Sequence, residues 1–246
     1  RKMTNPVRNL QRTAEEYRKL DSKDKRRFWA DGFLNNALYI LMVIFIIYTA
    51  IKNPNFVKPG SIVNIISLVA ASLPMALGIG GCIVLTGTDL SAGRCVGLTA
   101  AIAGALLQKS DISRKMFASL PAVTPGWILL VVLIAVLVGA IIGLVNGFFV
   151  AKFSLHPFIV TLATQLITYG LILVFFMLNG NNGQPISGLS DAYKNAVSAP
   201  FLQFKTQKYG TISIPWYVIY AVLLTALMWF IWNKTTFGKN MFAVGS

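Results

Sequence analysis

Long stretches of this chain contain no charged residue at all. Gly32 to Ile51, Pro59 to Thr88, Met116 to Ala151, Phe153 to Ser190 and Tyr209 to Asn233 each lack Asp, Glu, Lys and Arg. A half-buried strand would alternate apolar and polar positions, and a surface helix would carry a polar face. These runs do neither, and each holds the ~20 apolar residues that cross a bilayer. The pattern predicts an all-α, polytopic transmembrane bundle of about six spans, at about Leu34–Ile51, Ile62–Leu85, Leu90–Leu107, Trp127–Val150, Pro157–Leu178 and Pro215–Trp232. Residues 1–31 read as a separate polar, basic arm of helical character, with Leu10, Tyr17 and Leu20 on one side and Thr13 to Glu16 as a capping box. Residues 32–246 then form the membrane domain.

Composition agrees with lipid as the main solvent. Of the 246 residues 55% are hydrophobic and 12% charged, with a mean hydropathy of +0.65, against about 25% charged in soluble domains. The net charge of +14 points to topology and not to nucleic acid, because ten of the 22 basic residues precede residue 28, just before the first span. With the N-terminus cytoplasmic, the inner segments carry fourteen basic residues and the outer loops eight, as the positive-inside rule requires. Trp127, Trp216, Trp229 and Trp232 fall near span ends, at headgroup depth. The connection from Asn179 to Ile214 is too long for a turn and is expected to fold over the outer mouth.

Chemistry concentrates where two apolar spans are interrupted by Thr86-Gly-Thr-Asp-Leu-Ser-Ala-Gly-Arg94. A carboxylate at the bilayer centre costs about 2.5–3.5 kcal/mol on insertion scales, so Asp89 needs a reason. Three are open: Thr88 or Asp89 caps the helix that follows, Asp89 lines a translocation path with Thr86, Thr88, Ser91 and Arg94, or it couples transport to a cation. Arg94 is near enough in sequence to neutralise Asp89. Asn146, Thr161, Thr164, Gln165, Thr168 and Tyr169 add neutral polar groups in later spans, for bonds between helices or to a passing polyol. His156, before Pro157, reads as a helix-end residue. Two small-residue ladders, Gly93, Gly97, Ala101, Ala105 and Gly139, Gly143, Gly147, predict faces where helices approach closely. Pro74, followed by Gly78, Gly80 and Gly81, predicts a bent second span. Cys82 and Cys95 form no metal-ligand or redox spacing, and no metal or catalytic residue is expected. The chain has no GxxxxGK[ST], HExxH or GxSxG, so the energy for any transport comes from another chain or an ion gradient.

The run Gly87 to Arg94 resembles the hallmark of the ribose/galactose/xylose-type permeases of ABC importers. Ile141 to Gly147, His156 to Leu162 and Asn233 to Gly245 are similar to the same family in the same order, and Pro185 to Gly188 to its galactose/methyl-galactoside branch. The resemblance covers about residues 34 to 246. It implies a homodimeric permease in a bacterial inner membrane, without enzymatic activity or a cofactor of its own. Its partners would be cytosolic ATPase subunits, which hold ATP and Mg, and an external sugar-binding protein. It also implies further helices beyond Ser246, so the chain reads as incomplete at its C-terminus. An ion-coupled secondary transporter and a membrane scaffold are the alternatives.

Overall fold

A computed structural model describes residues 33–34, 36–112, 114–206 and 210–245, and the arm expected over residues 1–31 lies outside them. The chain divides into two units, up to Ser61 and from Ile62 onward. In the first lies α1, Ala37–Lys52, an apolar helix of 16 residues with no buried side chain. Asn53 follows it, and its side chain accepts from the Asn55 amide at 3.0 Å.

The second unit contains the rest: α2 (Pro59–Val84, whose first residues belong to the first unit), α3 (Ala92–Leu106), α4 (Pro125–Phe153), α5 (Pro157–Met177), the short α6 (Asp191–Val197), the strands β1 (Pro200–Thr206) and β2 (Gly210–Pro215), α7 (Trp216–Lys234) and α8 (Thr236–Val244). Among the described residues four stretches, α2, α4, α7 and the helical run Pro157–Gly180 that contains α5, are long and apolar enough to cross a membrane. At 1.5 Å per residue the 29 residues of α4 reach about 43 Å, beyond the ~30 Å hydrocarbon core. The other two expected spans, α1 and α3, are shorter apolar helices. Large apolar side chains face outward throughout, Leu129 and Leu144 each 73% exposed. In water such a surface would aggregate; against lipid it needs no cover.

Proline and a polar side chain together start two of these helices. Pro125 and Pro157 occupy first-turn positions where a missing N–H costs nothing, while Thr124 Oγ1 accepts from the Trp127 amide at 3.3 Å and His156 Nδ1 from the Phe158 amide at 3.3 Å. α2 remains helical across Pro74. Its glycines admit a neighbour: a Cβ on Gly80 would lie 3.4 Å from the Trp232 ring. Trp232 therefore packs on α2. A buried patch of Ala70, Val218 and Ala221, flanked by Leu73, Ile214 and Tyr217, joins α2 to α7. α3 packs closely against both α4 and α5 and buries Leu98, Ala101 and Ala105.

Among the described residues, the 179–214 connection departs from the all-helical plan. It contains α6 and an antiparallel hairpin, with β1 paired to β2 from Pro200↔Pro215 to Thr206↔Gly210 and a register irregularity after Pro200. The buried Gln108 holds its first part to the end of α3. Gln108 Nε2 donates to the Ser187 carbonyl at 2.9 Å and its Oε1 accepts from the Met116 amide at 2.8 Å, while Lys109 N donates to the Gly188 carbonyl and Ser190 N to that of Leu107. The Trp127 indole closes the same end by donating to the Leu106 carbonyl at 2.9 Å.

Lys109 Nζ lies 2.7 Å from Asp191. The hydrogen bond from Lys109 lowers the Asp191 pKa, and the same bond raises that of Lys109. The depressed carboxylate contributes above its ordinary pKa and loses that contribution as pH falls through the depressed value; the raised amine loses its own as pH climbs through the raised value. Both groups are accessible, so the pair orders the loop more than it stabilises the fold.

Candidate functional site

The end of α2 shows why the polar run begins where it does. Gly87 N donates to the Cys82 carbonyl at 2.9 Å and Thr86 N to that of Ile83 at 2.9 Å, the paired bonds of a Schellman motif. The residue at the reversal is Thr86, with φ at +58°, where glycine is usual and a β-branched side chain is strained. We expect Thr86→Gly to stabilise the protein. Relief of roughly 1–2 kcal/mol of left-handed strain exceeds the roughly 0.5–1 kcal/mol of glycine entropy. A size-exclusion thermal midpoint that stays the same or falls would show that no strain is stored there.

After this reversal the chain makes a second, polar turn. Asp89 Oδ1 accepts from the Ser91 amide at 2.8 Å and from Ser91 Oγ at 2.6 Å. The carboxylate therefore closes the turn just before α3, two residues upstream of the N-cap residue, Ser91, whose own side chain makes no cap bond. From Ser91 a chain of neutral groups crosses to two further helices. Asn146 Nδ2 of α4 donates to Ser91 Oγ at 3.0 Å, and Asn146 Oδ1 accepts from Thr164 Oγ1 of α5 at 2.6 Å. Alongside it, Thr161 Oγ1 accepts from the Leu90 amide at 3.2 Å and lies 3.1 Å from the Thr88 carbonyl. Ser91, Asn146 and Thr161 are buried, so each bond replaces water that cannot reach it.

Arg94 does not neutralise Asp89. The ion pairs of the described residues both lie on Asp191, and the Arg94 guanidinium sits 4.5 Å from the centroid of the Tyr169 ring. Placed in the first turn of α3, Arg94 points across to α5, and the ring face offers a cation–π partner. The carboxylate is satisfied by Ser91 instead. Thr86 and Thr88 are exposed, Thr86 Oγ1 donating only to its neighbour's carbonyl. The Gln165 side chain makes no hydrogen bond with the described residues.

A cavity of ≈220 Å³ opens beside this turn, lined by Met75, Gly78 and Ile79 of α2, Asp89, Ser91, Ala92, Cys95 and Val96, and by Gly139, Ile142, Gly143 and Asn146 of α4. The glycine ladders take different surroundings along their length. A Cβ on Gly97 would sit 3.4 Å from Ile172 Cδ1 and on Gly139 3.9 Å from Cys95 Sγ, whereas at Gly93, Gly143 and Gly147 it would meet nothing within 4 Å. Gly143 thus faces the cavity and not a helix, against the expectation of close approach. Gly143→Leu is expected to leave the folded yield near wild type, while Gly97→Leu lowers it several-fold; equal losses in a fluorescence size-exclusion assay would mean Gly143 is packed after all.

Near its C-terminal residues the unit closes on itself through two glycines. Gly238 lies against the Trp232 carbonyl and 2.6 Å, measured from an added Cβ, from the Ile231 oxygen; Gly245 lies against the Val84 carbonyl at the end of α2. Thr235 Oγ1 accepts from the Gly238 amide at 3.3 Å and starts α8.

Sequence reading singled out Asp89, Asn146 and Thr164 but not the order in which they join, and it missed Gln108, one residue beyond the expected span Leu90–Leu107. The chain is similar to the galactose/methyl galactoside import permease protein of Escherichia coli K12, 36% identical over 85% of this chain and 59% of the relative. Its counterpart in Haemophilus influenzae Rd is 35% identical over 87% of this chain and 61% of the relative. The ribose import permease protein of Bacillus subtilis 168 is 31% identical over 90% and 61%. The chain spans about three fifths of the length of these relatives. No solved structure matches it. Residues 61–246 match the model of the branched-chain amino acid transport system / permease component family, and the chain belongs to that family.

Proposed function

We propose that this chain is the membrane-spanning permease of an ATP-driven importer in a bacterial inner membrane, with a monosaccharide of the galactose or methyl galactoside class as cargo. The observation that carries the sugar reading is the 34–36% identity to four galactose/methyl galactoside permeases, sustained over 85–87% of the chain. ATP and Mg belong to cytosolic partner subunits, and an external binding protein delivers the sugar.

The site residues fit a passage for a neutral polyol. Asp89, Ser91 and Asn146 give the cavity a polar side and its other walls are mostly glycine and apolar side chains, and hydroxyl groups of a sugar suit that mixture. The cavity, ≈220 Å³, is smaller than the about 300–1,000 Å³ of typical ligand pockets. One copy therefore supplies part of a wall, in keeping with a passage completed by a second copy.

One observation favours the ion-coupled alternative. Asp89 has no cationic partner among the described residues, and an unpaired intramembrane carboxylate is a common coupling site. Proteoliposomes separate the two. Sugar accumulation by the full-length permease should require the ATPase, the binding protein and ATP together. Accumulation by the permease alone under a proton or sodium gradient would overturn the importer reading.

A further inference from the structure

At the end of the bundle away from Asp89 lies a second, larger cavity of ≈350 Å³, which the transport reading does not use. One wall is Arg114, Lys115 and Met116, between α3 and α4; the other runs from Asn179 to Gln184, just beyond α5. We propose that this cavity is a binding site for a phosphate oxyanion, either the headgroup of an anionic phospholipid or free phosphate.

The charge balance selects the ligand class. Two cations line the cavity, no carboxylate does, and neither Arg114 nor Lys115 forms an ion pair with a described residue. Lys115 Nζ donates to the Leu120 carbonyl at 2.9 Å, which holds the ammonium in place and leaves its charge uncompensated. The side-chain amides of Asn179, Asn182 and Gln184 have no hydrogen-bond partner among the described residues, so their N–H groups are free to face the same ligand. A guanidinium fork with neutral amide donors suits the several oxygens of a phosphate group.

Both walls are fixed before a ligand arrives. Gln108 holds the first through Met116 N and the Arg114 carbonyl. In the second, Asn181 Nδ2 donates to the carbonyls of Phe176 at 3.0 Å and Gln184 at 2.6 Å, and Gly183 N also donates to Phe176. Such a preformed site spares the ordering cost of binding. Its position supplies the lipid source: the cavity lies off the ends of apolar helices, and the last turns of α5 expose Val174 (62%) and Met177 (65%), a surface for acyl chains. The volume exceeds what a lone phosphate needs and leaves room for a glycerol headgroup.

The test uses the full-length, delipidated protein in native mass spectrometry, titrated separately with dioleoyl phosphatidylglycerol, dioleoyl phosphatidylcholine and inorganic phosphate. Retention of phosphatidylglycerol about tenfold above phosphatidylcholine would support the site with lipid as its source. Binding of inorganic phosphate without lipid preference would support it with the free ion. In either case Arg114→Gln/Lys115→Gln should remove the binding, and Lys52→Gln/Lys58→Gln, an equal loss of charge elsewhere, should not. Asn182→Asp adds a repelling charge without touching the backbone bonds, and should weaken binding even if the double variant folds poorly. Absence of both kinds of binding, or binding unchanged in the Arg114/Lys115 and Asn182 variants, would overturn the proposal.

Discussion

Gly238→Ala is expected to remove most of the folded protein, although it adds a single methyl group. That methyl would be built into the Trp232 carbonyl, with the Ile231 oxygen 2.6 Å away. Side chains in an overpacked core can shift for about 1–3 kcal/mol, but here the obstacle is the backbone of the last turn of α7. To make room, α8 would have to leave α7, breaking the Thr235 cap and exposing the buried Met241. A loss on the order of 4 kcal/mol follows, in the exceptional range for one substitution and comparable with the whole stability of a marginal protein. The comparison is Gly60→Ala, in the first turn of α2, where an added Cβ meets nothing within 4 Å. Monodisperse Gly238→Ala protein at the Gly60→Ala level, in fluorescence size exclusion, would mean that the α7–α8 junction is looser than this geometry.

The junction also illustrates what the amino-acid pattern can carry. The helices α1, α2, α4, α5 and α7 were legible because charge-free runs of ~20 residues have few uses outside a bilayer, and α3, which carries Arg94, from the apolar stretch that follows the polar run. The hairpin was not. Leu202 to Lys205 and Thr211 to Ile214 alternate apolar and polar residues over only a few positions, inside a connection rich in proline, glycine and asparagine, and pairing is a nonlocal property. The glycine ladders show a similar limit. Spacing by four places Gly93 and Gly97 on one face, yet a Cβ on Gly97 would meet Ile172 and one on Gly93 nothing within 4 Å; sequence gives the face and not its occupant. Arg94 is the clearest case. Five residues from Asp89, it was a plausible ion partner, but the turn closed by Ser91 carries the carboxylate away and leaves Arg94 to the ring of Tyr169.

Asp89 carries the second large effect, and two substitutions separate its roles. Its Oδ1 is the acceptor for both the amide and the hydroxyl of Ser91, and Ser91 is only 2% exposed. Alanine would leave these donors without an acceptor or access to water, at about 1–3 kcal/mol for a buried group so orphaned. The loss would spread, because Ser91 Oγ also accepts from Asn146, which in turn holds Thr164. Asp89→Ala is therefore expected to cost about 2–3 kcal/mol and to lower the yield of folded protein several-fold. Asparagine keeps an oxygen in the Oδ1 position but cannot ionise. If the carboxylate serves mainly to close the turn before α3, Asp89→Asn folds almost as well as wild type, and the complete transporter retains most of its uptake. If Asp89 instead couples transport to a cation, the asparagine variant folds and transport is lost. The deciding measurement is uptake per correctly folded transporter at matched surface expression. Loss of uptake in Asp89→Asn with normal assembly would end the structural reading and return the carboxylate to the translocation path.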